Sequence, residues 1–291
     1  MRSAILSFAF VAFNSSYCAA HSFISNINID RLFYDGFSPS TSSPDPLAVG
    51  WSTTAVDQGY VNQTGYTTDE IICHRGSSNA RAHVQVTAGD RIQLQWHGWP
   101  QSHKGPVIDY LASCGEKKPC EAVDKTDLRF FKIDEMGLIN GTNATVGGPG
   151  GLWATDMLIA NNNSWVVEIP SQIKPGFYVL RTEIIALHNA SNALGAQNYP
   201  QCINLRIAGT GNLLPSGTLG KELYSPDDPS VHLDIYEGLS TYKIPGPTPI
   251  SVATTVSLSH PVPTSDGPVY TGTATTPVTT LATSVTTANR G

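Results

Sequence analysis

Short segments that alternate apolar and polar residues, separated by turns rich in glycine, proline and asparagine, recur from His21 to about Ile244 and limit the folds open to this chain. The alternation is clear from Arg91 to Trp96, where every second residue is apolar, as in a strand with one buried face. The mostly apolar run from Tyr178 to Leu187 predicts a central strand covered on both faces. Because no segment shows a sustained helical period with capping residues, the sequence predicts an all-β fold, an antiparallel immunoglobulin or fibronectin-like sandwich with long loops.

The first twenty residues have the pattern of a secretory signal peptide. Arg2 supplies a positive charge, an uncharged apolar run follows from Ala4 to Phe13, and small residues at Cys18 and Ala20 precede a cleavage site. Cleavage there makes His21 the first residue of the mature protein. Outside this signal no apolar run approaches the length of a membrane span, so we predict a secreted, extracellular protein without a membrane partner.

The remaining composition divides the chain into a domain and a tail. Of the 46 residues from Gly246 to Gly291, 24 are threonine, serine or proline, which predicts a disordered, O-glycosylated segment. We therefore predict a signal peptide at 1–20, one β-sandwich domain at 21–247 and a tail at 248–291. The formal net charge of −6, which becomes −7 when Arg2 is removed, argues against a nucleic-acid partner. We expect a monomer.

Four cysteines remain after removal of the signal, and an even number in a secreted chain predicts two disulfides with three possible pairings. Cys114 and Cys120 flank a short turn, which favours a bond between them and leaves Cys73 to pair with Cys202. A zinc site of four thiolates is the alternative, but the usual closely spaced cysteine pairs are missing. Five sequons for N-glycosylation fit the same compartment, at Asn62, Asn140, Asn143, Asn162 and Asn189.

A histidine at a mature N-terminus offers a metal ion two nitrogens, the α-amine and the imidazole of His21. With a third nitrogen from another histidine, this donor set suits Cu(II) best among the divalent first-row metals. His103 follows directly after a predicted strand has ended, on a loop from which a side chain can reach a metal. The alternative is that His21 follows the cleavage site by chance.

Three further residues could complete such a site. His188 comes at the end of the predicted central strand, and Gln197 and Tyr199 point to one side of an extended segment that follows. The Tyr199 phenol could occupy a weak axial position on copper, while Gln197 and His188 supply hydrogen bonds behind it. The alternative is an ordinary buried tyrosine with a satisfied hydroxyl group.

Five motifs in this order resemble the fungal lytic polysaccharide monooxygenases of auxiliary activity family nine, formerly a glycoside hydrolase family. The resemblance covers about residues 21 to 247. The motifs are His21-Ser22-Phe23, Ile71-Ile72-Cys73, the segment from Ser102 to Ala112, the segment from Tyr178 to His188, and the segment from Gly195 to Cys202.

The resemblance implies a copper enzyme with a flat copper-bearing face. It makes His21 and His103 the copper ligands, Tyr199 the axial ligand, and Gln197 and His188 the groups that position the oxygen species. It also implies the two disulfides given above and a ring methyl group on His21 in some hosts. Tyr242 matches an aromatic residue near the substrate face, with a purely structural tyrosine as the alternative. The family usually has histidine where this chain has Thr182, away from the copper ligands.

The reaction implied by the resemblance is oxidative cleavage of β-1,4-linked polysaccharide, most readily cellulose or a related β-glucan. It proceeds by hydrogen abstraction at C1 or C4, with O2 or H2O2 as co-substrate and electrons from a small-molecule or protein donor. A glycoside hydrolase is one alternative, but it needs two facing carboxylates, and only Asp109 and Glu183 lie within the shared motifs. A non-catalytic module that binds copper or polysaccharide is the other alternative.

Overall fold

The computed structural model describes residues 22–39, 45–57, 59–141 and 148–273 of the chain. Two short α-helices occur there, α1 (Glu70–Cys73) and α2 (Ala154–Ala160). No helix in the described ranges is long and apolar enough to cross a bilayer. The strands are β1 (Ile24–Ile29), β2 (Leu32–Asp35), β3 (Ala82–Thr87), β4 (Arg91–Trp96), β5 (Val107–Gly115), β6 (Arg129–Met136), β7 (Leu138–Asn140), β8 (Leu152–Trp153), β9 (Ser164–Glu168), β10 (Gly176–Ala186), β11 (Gln197–Ala208), β12 (Thr218–Leu219), β13 (Ser265–Asp266) and β14 (Val269–Thr271).

Two large sheets confirm the predicted all-β sandwich. One sheet has five strands in the order β13-β2-β1-β4-β9, the other has seven in the order β12-β6-β5-β10-β11-β3-β14, and β7 and β8 form a small third sheet. Most neighbours are antiparallel as predicted, but β11 with β3 and β13 with β2 are parallel pairs. These partners are joined by long connections rather than hairpins, and a long connection permits either direction.

The predicted central strand is β10, which lies between β5 and β11 in the seven-stranded sheet. Every residue of β10 after Gly176 is buried. Leu180 and Ile184 face the apolar core between the two sheets, whereas Val179 and Ile185 face a second apolar cluster on the opposite side. Burial on both faces therefore explains why the sequence of this strand lacks the alternation seen in β4.

Two disulfides connect the cysteines as the sequence predicted. Cys73, at the end of α1, bonds to Cys202 in β11, with the two Cα atoms 5.3 Å apart. Cys114 in β5 bonds to Cys120, with a Cα separation of 5.4 Å. The first bond closes a loop with a sequence separation of 129 residues and therefore restricts the unfolded chain strongly.

The sequence predicted a disordered tail from residue 248 onward. In the structure, residues 248–273, which we call the strap, are instead hydrogen-bonded to both large sheets. The Ile250 amide donates to the Lys132 carbonyl (2.9 Å), and the Gly267 amide donates to the Phe33 carbonyl (2.7 Å). Strands β13 and β14 then pair with β2 and β3, the outer strands of the two large sheets. Backbone hydrogen bonds to open sheet edges order the strap. Amino-acid composition does not predict such bonds, because it reflects only how much apolar side-chain surface a segment can bury. Residues 274–291 lie outside the described residues.

A buried acid pair lies where the strap crosses β6. Asp109 and Asp134 are partners in the β5–β6 register, and Thr255 of the strap donates its hydroxyl group to Asp134. Trp165 donates its indole N–H to Asp109 (2.8 Å). One carboxyl oxygen of each aspartate is buried without a hydrogen-bond partner among the described residues, an arrangement that favours protonation of the pair.

Stability should fall with rising pH because of this pair. Burial, reinforced by Asp134, raises the pKa of Asp109 to about 7, and burial raises the pKa of Asp134 to about 6. Between about pH 4 and these values the folded protein holds protons that the unfolded chain has released, so unfolding becomes easier as pH rises. Buried His74 and His83, whose pKa values are lowered to about 4 by burial, act in the opposite direction.

The variant Asp109→Asn separates these opposing contributions. Measured by urea unfolding, its stability relative to the wild type should improve from about pH 4 to about pH 7, by an amount on the order of a few kcal/mol. A constant difference across that range would contradict a protonated acid pair.

Candidate active site

The loop between β4 and β5 carries His103 on a tightly held turn. The His103 amide donates to the Pro100 carbonyl (2.9 Å), and the Trp99 indole N–H donates to the His103 carbonyl (2.8 Å). Ser102 Oγ lies 3.1 Å from His103 Nδ1. These contacts hold the backbone and one ring nitrogen of His103, so its imidazole has a defined orientation in a nearly buried position, 6% exposed.

His188 lies beside His103, on the loop between β10 and β11. The two imidazole rings are in contact, with centroids 3.9 Å apart and ring planes 30° apart. A backbone hydrogen bond from Leu187 to the Lys104 carbonyl (2.8 Å) joins the two loops. Burial lowers the pKa of His188, which favours a neutral ring, and its buried Nδ1 has no hydrogen-bond partner among the described residues.

Gln197 and Tyr199 lie at the start of β11, and their side chains point to the same side of the strand, as their spacing predicted. The Tyr199 hydroxyl donates to Gln197 Oε1 (2.9 Å), and both side chains are buried. The Tyr199 ring packs edge-on against Trp99 (5.0 Å between centroids) and is tilted against Tyr60 (6.1 Å). Burial raises the pKa of the Tyr199 phenol, so this group remains protonated at neutral pH. Trp99 also packs edge-on against His103, and it thus connects the two parts of the site.

His21 itself lies outside the described residues, but the residues that follow it lie near the His103 loop. The Phe23 ring stacks on His97 with centroids 5.0 Å apart, and the His97 amide donates to the Phe23 carbonyl (2.9 Å). Ser22 is buried. His97 is the first residue of the loop between β4 and β5 that carries His103, so Phe23, which directly precedes β1, contacts the start of this loop.

The residues around His103 fit a copper ion chemically. The described residues contain no group of three or more histidine, cysteine or acidic side chains arranged to hold a metal. A site at His103 would therefore need additional donors, and His21 offers an amine and an imidazole. Nitrogen donors of this kind suit copper. The neutral, unpartnered Nδ1 of His188 and the protonated Tyr199 phenol are polar groups that a bound ion and its ligands could engage.

The two candidate substrate tyrosines differ in exposure. Tyr242, the residue that the sequence indicated, is half-buried, its hydroxyl donates to the Ser230 carbonyl (3.0 Å), and its ring packs edge-on against Trp153 (4.9 Å). These contacts are those of a packing residue, and a role for Tyr242 at the substrate surface stays a prediction. Tyr236, which no sequence pattern singles out, is 48% exposed.

Tyr236 lies on the same side of the molecule as the His103 loop. A Cβ atom added to Gly150 would lie 3.1 Å from Tyr236 Cε1 and 3.2 Å from Cδ of Lys104, the residue after His103. Among the large apolar side chains that are exposed in the described part of the chain, Tyr236 is the only aromatic one. Its segment has no strand or helix pattern, so only its exposure after folding distinguishes it from the other tyrosines.

Four of the five predicted glycosylation sites can be located. Asn140, Asn162 and Asn189 are exposed, and Asn62 is half-buried and accepts a hydrogen bond from the Thr64 amide (3.1 Å). Asn143 lies outside the described residues. Glycan attachment at these positions stays a prediction.

Comparison with known proteins identifies the family. The sequence model of Auxiliary Activity family 9, formerly GH61, matches residues 21–243. The AA9 family lytic polysaccharide monooxygenase I of Botryotinia fuckeliana is 51% identical over 245 residues, which cover 83% of this chain and 89% of that protein. The AA9 family lytic polysaccharide monooxygenase A of Thermoascus aurantiacus is 54% identical over 231 residues, 78% of this chain and 98% of that protein.

A solved structure agrees with this result. The extended catalytic domain of H. jecorina LPMO9A superposes with a TM-score of 0.78 at 46% identity, and the match covers 85% of this chain and 98% of that one. Members of the family are secreted, copper-dependent oxidoreductases that cleave polysaccharides oxidatively with electrons from a donor. The chain belongs to auxiliary activity family 9 and is a lytic polysaccharide monooxygenase.

Proposed function

We propose that this chain binds one copper ion through the amine and ring of His21 and the ring of His103, and cleaves β-1,4-linked glucan, with cellulose as the main substrate. A copper ion at this site would supply one-electron redox chemistry for attack at C1 or C4, with O2 or H2O2 as co-substrate and a small-molecule or protein electron donor. The observation that carries the proposal is that the His103 and His188 rings are in contact, close to Gln197 and Tyr199, which are hydrogen-bonded to each other.

Of the three proposed nitrogen ligands, the α-amine of His21 exists only if residues 1–20 are removed. An amide nitrogen is a poor ligand, whereas the free α-amine that cleavage creates at His21 has an ordinary pKa of about 8 and is partly deprotonated at neutral pH. The match to the family model starts at residue 21, which supports this starting point. The contacts of Phe23 with His97, which begins the loop that carries His103, support His21 as a ligand beside His103.

Gln197, His188 and Tyr199 would orient the oxygen ligand of the copper ion and would not themselves react. The amide oxygen of Gln197 accepts from Tyr199, which directs the NH2 group of Gln197 away from the phenol and leaves it able to donate to an oxygen ligand. His188 is held against His103 and has an unpartnered Nδ1. Tyr199, protonated and enclosed by Trp99 and Tyr60, would offer its phenol oxygen as a weak ligand to the copper ion and exclude water from that side.

Substrate binding would use the exposed face beside the His103 loop. Tyr236 presents an exposed ring there, and an aromatic face stacks well on the apolar face of a glucose ring. Lys104 does not offer a free charge at this face, because its ammonium group donates to the Asp156 carboxylate (3.0 Å) and to the Gly151 carbonyl (2.8 Å). A stacking surface of this kind suits the ring faces of a glucan.

The hydrolase alternative is disfavoured by the environment of its two candidate acids. Asp109 and Glu183 are both fully buried, Asp109 in the acid pair and Glu183 in an ion pair with Arg181 (2.8 Å). A hydrolytic acid or base must reach the glycosidic oxygen or a water molecule in a cleft. Neither carboxyl group can do so in this fold.

Product analysis of the copper-loaded and chelator-treated protein tests the proposal. With ascorbate and cellulose, the copper-loaded protein should release sugars oxidised at C1 or C4, and chelation should abolish them until copper is restored. Unoxidised sugars released without a reductant would instead establish a hydrolase. Copper binding without peroxide production or chain cleavage would establish a non-catalytic binding module.

The variant Gln197→Ala should lose turnover but keep copper. Removing a group that orients the oxygen ligand is expected to lower the oxidation rate by about 10- to 100-fold. Copper affinity, measured by calorimetry, should change by much less because Gln197 is not a ligand. Gln172→Ala, at an exposed position outside the site, is the matched control. A loss of copper affinity as large as the loss of rate would contradict the assigned role.

A further inference from the structure

A groove of about 750 Å³ lies between the strap and the outer face of the five-stranded sheet. Its floor includes Asn28 of β1 and Gln93 and Gln95 of β4, and the strap forms one wall with residues 256–260, 262 and 263. The remaining lining comes from Met136 of β6, from Met157 and Ala160 of α2, and from residues 161, 162 and 164 that follow α2. This position is separate from the His103 site, whose residues do not line the groove.

The lining of the groove selects for a neutral, polar ligand. Among the described residues that line it there is no Asp, Glu, Lys or Arg, and His260 is the only titratable side chain. The polar groups are amides and hydroxyls, which both donate and accept hydrogen bonds, and they alternate with the apolar side chains of Met157, Leu258 and Val262. Asn28, only 6% exposed, has a side-chain oxygen without a hydrogen-bond partner among the described residues. Sugars combine hydroxyl donors with apolar ring faces and match such a lining.

A sequon for N-glycosylation lies at the edge of this groove. Asn162 of Asn162-Asn163-Ser164 is exposed and lines the groove. Asn162 and Asn163 both have positive φ angles, 55° and 59°, and Gln95 Nε2 donates to the Asn162 carbonyl (2.8 Å). Asparagine tolerates this left-handed conformation better than most residues. The turn therefore holds the Asn162 side chain at the edge of the groove.

The strap is attached to the same turn. Asn161 Nδ2 donates to the Leu258 carbonyl of the strap (2.8 Å) and to the Ser164 carbonyl (3.0 Å). A chain of sugars that starts at Asn162 would consequently meet the strap within its first residues.

We propose that Asn162 carries an N-linked glycan whose first sugars lie in this groove, between the strap and the sheet. In its formation the Asn162 amide nitrogen bonds to C1 of the first sugar of a lipid-diphosphate-linked oligosaccharide, the lipid diphosphate leaves, and the nitrogen loses one proton. The side-chain NH2 group of Gln93 and the side-chain oxygen of Asn28 then face the N-acetyl and hydroxyl groups of the sugars, whereas the Gln95 amide holds the Asn162 turn. The glycan thereby joins the strap to the sheet by contacts that the polypeptide alone does not make.

Endoglycosidase H measures the protection that this arrangement predicts, because it cleaves between the first two sugars of a high-mannose glycan. The protein is secreted from a yeast host and digested in its native and heat-denatured forms, with a glycoprotein of known exposed glycan added as an internal reference. We expect mass spectrometry to find Asn162 occupied. Its native cleavage should be at least about tenfold slower than that of the reference, and this protection should disappear on denaturation.

Variants separate the groove from general protection. Gln93→Ala should accelerate native cleavage at Asn162, whereas Gln85→Ala, the same change on an exposed position of β3, should not. Asn162→Gln should increase hydrogen exchange of the amides of residues 256–263 and leave that of β10 unchanged. The proposal is overturned if Asn162 is unoccupied in the secreted protein, or if its native glycan is cleaved as fast as the reference.

Discussion

Replacing His103 by alanine is expected to lower Cu(II) affinity by more than about 100-fold, beyond the usual effect of losing an outer contact, and to abolish oxidised products. The physical reason is that two nitrogens of a single terminal residue cannot enclose the ion, so the third nitrogen from the His103 ring decides whether it is retained. The Trp99 indole bond and the Pro100 turn hold the loop independently of the His103 side chain, so the variant should fold normally.

Calorimetry and the electron paramagnetic resonance spectrum of Cu(II) measure this effect without relying on turnover. The control is His232→Ala, because His232 is exposed and its ring contacts only the Pro226 carbonyl (2.7 Å) among the contacts described for it. A second variant that keeps one additional residue before His21 should lose copper to a similar degree. Full affinity and full activity in either variant would refute the proposed ligand set.

Glu183→Gln is expected to destabilise the fold by about 3 to 5 kcal/mol, the cost typical of leaving a buried charge unpaired. The guanidinium of Arg181 is fully buried and pairs with Glu183 at 2.8 Å, and its other nitrogens donate to the carbonyls of Ile71 and Ile72 at 2.8 Å. Removing the negative charge of Glu183 leaves the Arg181 charge without compensation in an apolar environment.

A double-variant comparison identifies the charge as the cause. Arg181→Met combined with Glu183→Gln removes both charges and should be less destabilised than Glu183→Gln alone, as measured by urea unfolding. If the effects of the two single changes simply add, the ion pair is not the source of the stability. Oxidative activity at low temperature should survive in Glu183→Gln, whereas a hydrolytic acid at this position would make that variant inactive.

The sequence predicted those features that depend on near neighbours or on pattern. The alternation in β4 and the apolar run of β10 were sufficient to predict a sandwich with a central strand. A strand buried on one face alternates apolar and polar residues, whereas a strand buried on both faces is apolar throughout. The short turn between Cys114 and Cys120 was sufficient to predict both disulfides. Once these two cysteines are bonded to each other, Cys73 and Cys202 can pair only with each other. The spacing of Gln197 and Tyr199 predicted side chains on one side of a strand, and their hydrogen bond is consistent with it.

The strap shows where composition fails. Its threonine, serine and proline residues bury little apolar surface, and on that ground residues 248–273 were expected to be disordered. The order comes instead from unpaired backbone groups at the edges of β2 and β3, which exist only once both sheets have formed. No property of the strap sequence indicates that two such edges lie within its reach.

The sequence by itself determined the all-β class and both disulfides through periodicity and local spacing, and it indicated the candidate residues His103, His188, Gln197 and Tyr199 through the resemblance of its motifs to a known family. Only the tertiary structure decided that the rings of His103 and His188 touch, that Tyr236 rather than Tyr242 is the exposed tyrosine, and that the strap covers a groove beside Asn162. The physical reason is that exposure and contact depend on which distant segments pack together, and packing is a property of the whole fold.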